Sequence, residues 1–313
     1  MSAEKAAPWT LEDIPDLTGK RALVTGVTAG LGEATTLELA RKGAEVIMAA
    51  RTESKLGKAV ADIREALPDA QVHPLILDLS ELSSVRAAAE EAASYGPIDI
   101  LVNNAGVMAT PKRTTADGFE LQFGTNHLGP FALTGLLFPQ LVASGGARVV
   151  AVASIGHHGV RSVPLGDPRE PTRRYLKWIA YGQSKLANLL FAFELDRRAR
   201  AHDVPVVSVA AHPGYAATDL MKGGLRLNGR RPVGTMIEAA TRLLGQSSSQ
   251  GALPQLMAAT APDLPGGTYL GPSGPAELRG PPVVVGTTKT ARDEELAARL
   301  WELSEKATGV TFP

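Results

Sequence analysis

The sequence predicts an α/β fold in which a doubly wound parallel sheet forms a single domain, with a small C-terminal lid over the substrate site. Two observations predict it. Short apolar runs recur along the chain, and their hydrophobicity is continuous rather than alternating, which is typical of strands buried on both faces of a parallel sheet. Helical patterns that end at Gly or Pro separate these runs. Repeated βα units of this size produce a doubly wound sheet, whose ligand lies beyond the carboxyl ends of its strands.

The predicted elements follow one another in chain order. Strands are predicted at 21–26, 45–50, 72–78, 98–106, 147–154 and 205–211. The stretches GEATTLELARKG, KLGKAVADIREALP and AYGQSKLANLLFAFELDRRARAH have helical patterns. The stretch PDLPGGTYLGPSGPAELRGPP is predicted as loop or edge structure. A final helix is predicted to begin at a capping box of Thr290 and Asp293 and to stop at Gly309.

One domain accounts for the chain, because there is no internal repeat, low-complexity tail or linker. We expect residues 1–18 to be a lead segment and residues 19–313 to be the domain. The stretch at about 215–250 is rich in glycine and in apolar and basic side chains, as expected of a mobile lid that would give a largely apolar pocket. A long surface loop would explain the same composition.

Composition and charge exclude several classes of function. The 313 residues carry 32 Lys and Arg against 32 Asp and Glu, so no overall charge favours nucleic acid or an anionic membrane. The absence of cysteine excludes disulfides and thiolate sites, and the scattered histidines predict no metal site. The N-terminal stretch has no apolar core, and the charge-free run 123–147 contains too many polar residues, prolines and glycines for a membrane span. We therefore expect a cytoplasmic protein without a membrane span.

A glycine-rich turn, VTGVTAGLG at 24–32, directly follows the first predicted strand. Gly26, Gly30 and Gly32 let the backbone turn tightly and approach a pyrophosphate, whose charge the following helix N-terminus would meet. The spacing differs from the GxGxxG fingerprint, so a glycine turn without a ligand is the alternative. Its place between a strand and a helix favours a dinucleotide site.

Two later strand ends extend this site. The stretch NNAG at 103–106 ends the fourth predicted strand, where a dinucleotide would cross the switch point of the sheet. Asp78 and Leu79 lie at the end of the third predicted strand and would lie along the edge of the adenine. The three strand ends therefore predict one continuous cofactor groove.

The end of the second predicted strand indicates which dinucleotide is bound. An acidic residue there would bind the ribose 2′-hydroxyl and repel a 2′-phosphate. The sequence has Ala50 at this place, followed by Arg51 and, one turn later, by Lys55. Because a guanidinium can pair with a phosphate through two hydrogen bonds, we expect NADP(H) rather than NAD(H). The alternative is that Arg51 is an ordinary solvated surface residue.

The stretch YGQSK at 181–185 places Tyr181 one helical turn before Lys185, so their Cβ atoms would lie about 5–6 Å apart on one helix face. Such pairs are common, and this one indicates little by itself. A free tyrosine has a pKa of about 10, and a lysine charge at ~4 Å can lower it towards the neutral range. Tyr181 would then exchange a proton with a carbonyl or an alcohol near neutral pH.

Together these motifs resemble the short-chain dehydrogenase/reductase family, in its single-domain Rossmann branch. The matching motifs are TGxxxGxG at 25–32, NNAG at 103–106, Ser154, YxxxK at 181–185 and HPG at 212–214. They occur in the family's order across about residues 18–220. The stretches FGTNHLGPF, YGQSKLANLLF and LWELSEKATG are most similar to retinol-dehydrogenase-like and protochlorophyllide-reductase-like relatives.

The resemblance implies a role for each matched residue. Ser154 would donate to the substrate oxygen and Tyr181 would be the general acid or base. Lys185 would bind the nicotinamide ribose, and Asn126 would hold a water in the proton path. The predicted catalytic residues are therefore Asn126, Ser154, Tyr181 and Lys185. The predicted cofactor-binding residues are Gly26, Thr28, Gly30, Leu31, Gly32, Arg51, Lys55, Asp78, Leu79, Asn104, Ala105, Gly106, Pro213, Gly214 and Thr218.

Pro130 departs from the family pattern, in which a helix-compatible residue is expected. A proline inside a helix removes a hydrogen bond and can kink the helix. Because Pro130 lies one turn after Asn126, we expect it to shift the position of that residue.

The predicted function is NADP(H)-dependent hydride transfer between the nicotinamide and a carbonyl or alcohol of a hydrophobic small molecule. One alternative is a protein that senses NADP(H) without catalysis, since fold does not prove function. Another is NADPH-dependent reduction of a carbon–carbon double bond. A hydrolase is excluded because Ser154 is not in a GxSxG elbow. The helices around 123–141 and 186–193 are apolar nearly all round, and the resemblance makes them compatible with a homodimer or a homotetramer.

Overall fold

The computed structural model describes residues 7–169, 174–215 and 246–313. The predicted lid at about 215–250 and the cofactor residue Thr218 therefore lie almost entirely outside the described residues. No helix among the described residues is long and apolar enough to cross a membrane.

A single eight-stranded sheet runs through the described residues. Its strands are β1 (Arg21–Thr25), β2 (Glu45–Ala50), β3 (Val72–Ile76), β4 (Ile100–Asn103), β5 (Ala147–Val152), β6 (Val206–Ala211), β7 (Tyr269–Pro272) and β8 (Pro282–Val284). The order across the sheet is β3-β2-β1-β4-β5-β6-β7-β8, and every pair is parallel except β7 with β8. The first six strands have the order of a dinucleotide-binding α/β fold, and the switch point lies between β1 and β4. This confirms the predicted fold class.

Six of the strands lie where continuous apolar runs predicted them. Leu23 and Val24 of β1 and Val149 and Val150 of β5 are fully buried, as expected for strands covered on both faces. The stretch predicted as loop or edge spans residues 262–282, so it contains β7 and only the first residue of β8, which is the antiparallel edge strand. Strand β7 was missed because it is short and contains Gly and Pro, so pairing with β6, rather than local propensity, decides its conformation.

Helices pack on both faces of the sheet. They are α1 (Gly30–Arg41), α2 (Glu53–Ala66), α3 (Leu82–Ser94), α4 (Gly129–Leu136), α5 (Phe138–Ala143), α6 (Lys177–Ala201), α7 (Ser248–Thr260) and α8 (Glu294–Thr308). The stop of α8 at Gly309 is confirmed, because Gly309 is left-handed with φ +67°. Its predicted start at Thr290 is wrong. Asp293 caps α8 by accepting from the Leu296 amide, whereas residues 289–292 form a separate helical turn capped by Thr288.

The C-terminal helix α8 packs against the apolar helices α4 and α6. Trp301 of α8 is 2% exposed, and its ring lies 5.0 Å from Phe131 of α4 and 5.9 Å from Phe191 of α6. Phe312, beyond the end of α8, lies 4.6 Å from Trp301. The helices around 123–141 and 186–193, which the sequence predicted to be apolar nearly all round, are therefore covered by the C-terminal part of the same chain.

A buried histidine ties α8 to the turn that precedes α4. His127 is 1% exposed, and its Nε2 lies 2.9 Å from Ser304 Oγ. Because the Ser304 hydroxyl donates to the Leu300 carbonyl, His127 Nε2 must be the donor of this bond. Burial lowers the pKa of His127 to about 3, so the ring is neutral in the folded protein.

This neutral ring predicts a dependence of stability on pH. The unfolded chain protonates His127 below about pH 6.5, whereas the folded protein keeps it neutral until about pH 3. The unfolded state binds more protons in this window, so the free energy of unfolding should fall with falling pH, by about 1.4 kcal/mol per unit from this residue. We expect His127→Phe to reduce the slope in urea unfolding at a series of pH values. The exposed His202→Phe is the control, and an equal slope in both variants would contradict the assignment.

Candidate active site

The glycine-rich turn packs closely against the segment after β4, because a Cβ atom on Gly26 would lie 2.9 Å from Ala105 Cα. Gly26 is left-handed, with φ +77°, and its amide donates to the Ala49 carbonyl at 2.8 Å. A Cβ atom on Gly32 would lie 2.3 Å from the Gly26 carbonyl oxygen, so only glycine fits. Gly30 begins α1, and Thr28 and Leu31 are half-buried beside it. The N-terminus of α1 thus opens at the carboxyl edge of the sheet, where an anionic group can approach it.

Asn104 joins this turn to the NNAG stretch. Its Nδ2 donates to the Thr25 carbonyl at 2.7 Å, and its Oδ1 accepts from Gln255 of α7 at 3.3 Å. The Thr25 hydroxyl accepts from the amides of Asn104 and Ala105. The Asn104 side chain therefore shapes the groove by holding β1 against β4, which the motif alone did not indicate.

The ends of β2 and β3 carry the residues for which the sequence predicted contacts with adenosine. Ala50 is buried at the end of β2, and Arg51 and Lys55 are exposed. Asp78 Oδ1 accepts from the Ser80 amide at 2.9 Å and from its hydroxyl at 2.6 Å, which fixes the carboxylate. Leu79 is 6% exposed. This edge therefore carries two exposed cations, and the last residue of β2, Ala50, is not acidic.

Ser154, Tyr181 and Lys185 meet beyond the end of β5. Ser154 follows β5 in extended conformation, and its Oγ accepts from the Gly156 amide at 3.1 Å. A Cβ atom on Gly156 would lie 3.4 Å from both Ser154 Oγ and Tyr181 Cε1, so these two side chains adjoin. Lys185 shares a face of α6 with Tyr181, and its Nζ lies 5.9 Å from the centre of the tyrosine ring. The predicted triplet is therefore one cluster in space.

Burial sets the protonation of this cluster. It raises the pKa of Tyr181, and the hydrogen bond from Ser154 opposes that rise. Burial also lowers the pKa of Lys185 to about 8. The prediction that Lys185 lowers the pKa of Tyr181 therefore differs from the structure. The physical reason is that the lysine ammonium donates to the Val152 carbonyl at 2.9 Å, while the phenol loses water.

Asn126 is buried next to this cluster. Its Oδ1 accepts from the Val107 amide at 2.7 Å, and its Nδ2 donates to the Val107 carbonyl and to Ser184 Oγ, each at 2.9 Å. A Cβ atom on Gly106 would lie 3.0 Å from Asn126 Oδ1 and 3.6 Å from Lys185 Nζ, so the three residues adjoin. Ser184, which the sequence did not single out, thus orients Asn126 from α6.

The expected disturbance at Pro130 takes a definite form. Residues Gly124–Leu128 form a π-helical turn, in which the Gly129 amide bonds to the Gly124 carbonyl, five residues back. Pro130 then occupies the first turn of α4, where its missing amide matters least. Asn126 lies inside this widened turn, and its side chain is bonded to Val107.

The segment after β6 completes the edge of the site. The Pro213 carbonyl accepts from Gln246 Nε2 at 2.7 Å, and Gly214 is left-handed with φ +63°.

His157, which follows Ser154, bonds through Nδ1 to the Ser154 carbonyl at 2.7 Å, and no pattern in the sequence predicted this contact. Among the described ranges, no group of three His, Asp or Glu side chains can hold a metal ion.

Comparison with known proteins agrees with this geometry. The family model for short chain dehydrogenase matches residues 20–166. The polyprenol dehydrogenase of Mus musculus is 41% identical over 307 residues, which is 95% of this chain and 86% of that protein. Retinol dehydrogenase 13 of Homo sapiens is 39% identical over 298 residues, covering 94% of this chain and 86% of that protein.

A solved structure is also similar over nearly the whole chain. The crystal structure of an uncharacterized protein from Mycobacterium paratuberculosis is 42% identical, with a TM-score of 0.81, and the alignment covers 98% of this chain and 100% of that one. These similarities agree with the motifs around Gly26, Asn104 and Tyr181. The chain therefore belongs to the short-chain dehydrogenase/reductase family of oxidoreductases, in its retinol-dehydrogenase-like branch.

Proposed function

We propose that this protein is an NADP(H)-dependent oxidoreductase that interconverts an aldehyde or ketone and an alcohol on an apolar small molecule. The observation that carries the proposal is the cluster of half-buried Ser154 with buried Tyr181 and Lys185, which lies at the same edge of the sheet as the glycine turn. A dinucleotide bound at this edge would therefore end beside the hydroxyls of Ser154 and Tyr181, which can bind a carbonyl oxygen.

The residues at the strand ends fit a nicotinamide dinucleotide, which supplies the hydride when it is bound. The close approach of Gly26 and Gly32 leaves room for a pyrophosphate at the N-terminus of α1. The cations Arg51 and Lys55 favour a 2′-phosphate over a bare hydroxyl. Asp78 and Leu79 would line the adenine, and Gly106, Pro213 and Gly214 would line the nicotinamide end.

The chain's own residues would then manage the proton. Ser154 Oγ would bind the substrate oxygen and stabilise the charge that develops on it. The raised pKa of Tyr181 keeps its phenol protonated, which suits a donor to the oxygen of a carbonyl substrate. Lys185, whose pKa is about 8, is charged at neutral pH and would donate a hydrogen bond to the nicotinamide ribose. Asn126, held by Val107 and Ser184, would orient a water on the proton path.

Two observations support an apolar alcohol or its aldehyde as the substrate. The relatives named above are a polyprenol dehydrogenase and retinol dehydrogenases, and both of those substrates are alcohols with long hydrocarbon portions. In this chain, Leu176, Trp178 and Ile179 are exposed within two turns before Tyr181, so the approach to the site is apolar. The relatives' names favour this chemistry over reduction of a carbon–carbon double bond.

A non-catalytic sensor of NADP(H) is the second candidate. It would need the cofactor groove alone. Burying a lysine is unfavourable, and a protein that only bound the cofactor would not need one beside the tyrosine. Lys185 is 3% exposed and adjoins both Asn126 and Tyr181. This observation favours the enzyme.

We also propose that a homo-oligomer of this chain would not form through α4 and α6, because Trp301 and Phe312 already cover them. A dimer or tetramer would use another surface. A hydrophobic small molecule stays the expected partner, and the cytoplasmic location and the absence of nucleic-acid binding stay predictions.

The first test of the function is replacement of the phenol. We expect Tyr181→Phe to reduce the turnover of NADPH with apolar aldehydes by about 100-fold or more, because a positioned general acid contributes about that much. Binding of NADPH should be nearly unchanged. Tyr95→Phe, at a half-buried tyrosine that packs on His73, is the matched control. Equal turnover by both variants would show that Tyr181 is not the acid.

The second test addresses the choice of dinucleotide. We expect Arg51→Asp to weaken NADPH binding by about tenfold or more and to improve binding of NADH, because it removes a charge-assisted bond and supplies an acceptor for the ribose 2′-hydroxyl. Dissociation constants from nicotinamide fluorescence would measure this change. The exposed Arg299→Asp on α8 is the control. Unchanged NADPH affinity in Arg51→Asp would remove the basis for NADP(H) preference.

A further inference from the structure

A buried histidine at the end of β6 uses both ring nitrogens. His212 is 1% exposed, and its Nε2 lies 2.9 Å from Glu277 Oε2. The amide of Gly214 donates to Nδ1 at 3.2 Å. Because Nδ1 accepts a hydrogen bond, the ring proton must be on Nε2, which then donates to the carboxylate. His212 therefore connects the segment after β6 to the turn between β7 and β8.

Neighbouring residues pack closely around the His212 ring and the segment that follows it. A Cβ atom on Gly271 of β7 would lie 2.0 Å from His212 Nε2, so glycine is needed there for the ring to fit. The ring of Tyr269 lies 5.2 Å from that of His212. On the other side, a Cβ atom on Gly214 would lie 2.5 Å from the Leu278 carbonyl oxygen, and the Tyr215 amide donates to this same carbonyl at 2.8 Å.

The turn that carries Glu277 is held in an unfavourable conformation. Ala276 and Glu277 are consecutive residues other than glycine, and both are left-handed, with φ of 51° and 56°. Side chains rarely adopt this region, and such backbone persists only where its surroundings enforce it. The conformation points the Glu277 carboxylate at His212, a contact that a relaxed turn need not make.

We propose that His212 and Glu277 are positioning residues that fix Pro213 and Gly214 for the nicotinamide end of the cofactor. The inference rests on the proposed function, because it assumes a dinucleotide in the groove. It assigns a part to Glu277, which lies 63 residues beyond Gly214 in the sequence and in no recognised motif.

The neutral state of His212 is consistent with this role. Burial, followed by the nearby His157 and His158, lowers the pKa of His212 to about 3, although the carboxylate of Glu277 by itself favours the protonated ring. Among the described residues, Tyr269 of β7 is a further titratable group beside this ring. A second ring proton would face the Gly214 amide, so the bond that holds this segment requires the neutral ring.

The test compares cofactor fragments in three variants. Glu277→Ala removes the acceptor of the His212 proton, whereas Glu277→Gln keeps an acceptor oxygen and loses only the charge. The exposed Glu302→Ala on α8 is the matched control. Each protein would be titrated with NADPH and with 2′,5′-ADP, which carries the adenosine and the 2′-phosphate but no nicotinamide. Thermal unfolding would establish that each variant is folded.

We expect Glu277→Ala to weaken NADPH binding about tenfold, roughly the loss of one hydrogen bond to a charged group, while 2′,5′-ADP binds as before. Glu277→Gln should restore most of the NADPH affinity. Equal NADPH affinity in all variants would overturn the inference, and so would equal losses for NADPH and 2′,5′-ADP. Failure of the unmodified protein to bind NADPH would instead overturn the proposed function, and this inference with it.

Discussion

The carbonyl oxygen of Val152 accepts two hydrogen bonds from α6, from Lys185 Nζ at 2.9 Å and from Asn188 Nδ2 at 3.1 Å. This contact joins the last residue of β5 to the helix that carries the tyrosine. Ser154 lies two residues beyond Val152 and therefore comes opposite Tyr181. Tyr181 in turn lies one helical turn before Lys185. A buried ammonium is unfavourable unless it is paired, and the strand-end carbonyl supplies that partner. The position of the whole cluster depends on this contact, because it fixes β5 and α6 relative to each other.

Some parts of the site could be predicted from the sequence, and others could not. The strands were predictable because a parallel sheet demands continuous apolar runs, and Gly26 and Gly32 were predictable because backbone touches backbone there. The order of motifs along the chain placed Ser154, Tyr181 and Lys185 at one edge. The protonation of Tyr181 was not predictable, since it depends on burial and on where the lysine proton is donated. Local spacing contains neither quantity.

Other features were decided by contacts distant in sequence. Strand β7 has weak local propensity and forms because β6 offers it a partner. The π-helical turn at Gly124–Leu128 contains Asn126, whose side chain bonds to Val107, and it precedes Pro130 in the first turn of α4. Glu277 had no motif to mark it, and only its contact with His212 gives it a role in our proposal. Each of these features needs partners that a periodicity in the sequence does not reveal.

Packing between the sheet and the C-terminus links stability to the site. Trp301 and Phe312 cover α4 and α6, and α6 in turn carries Tyr181 and Lys185. The helix that presents the catalytic pair is thus held by β5 on one side and by α8 on the other. A rigid support of this kind keeps reacting groups in place, and positioning accounts for much of what enzymes contribute.

We propose that hydride passes, at this edge of the sheet, from a bound nicotinamide to the carbonyl carbon of an apolar substrate. The most direct measurement is mass spectrometry of the product after incubation with a long-chain apolar aldehyde and NADPH that carries deuterium at both positions of nicotinamide carbon 4. We expect an alcohol that carries one deuterium on its former carbonyl carbon and none elsewhere. An alcohol without the label, deuterium on an alkene carbon, or no product from any such aldehyde would contradict it.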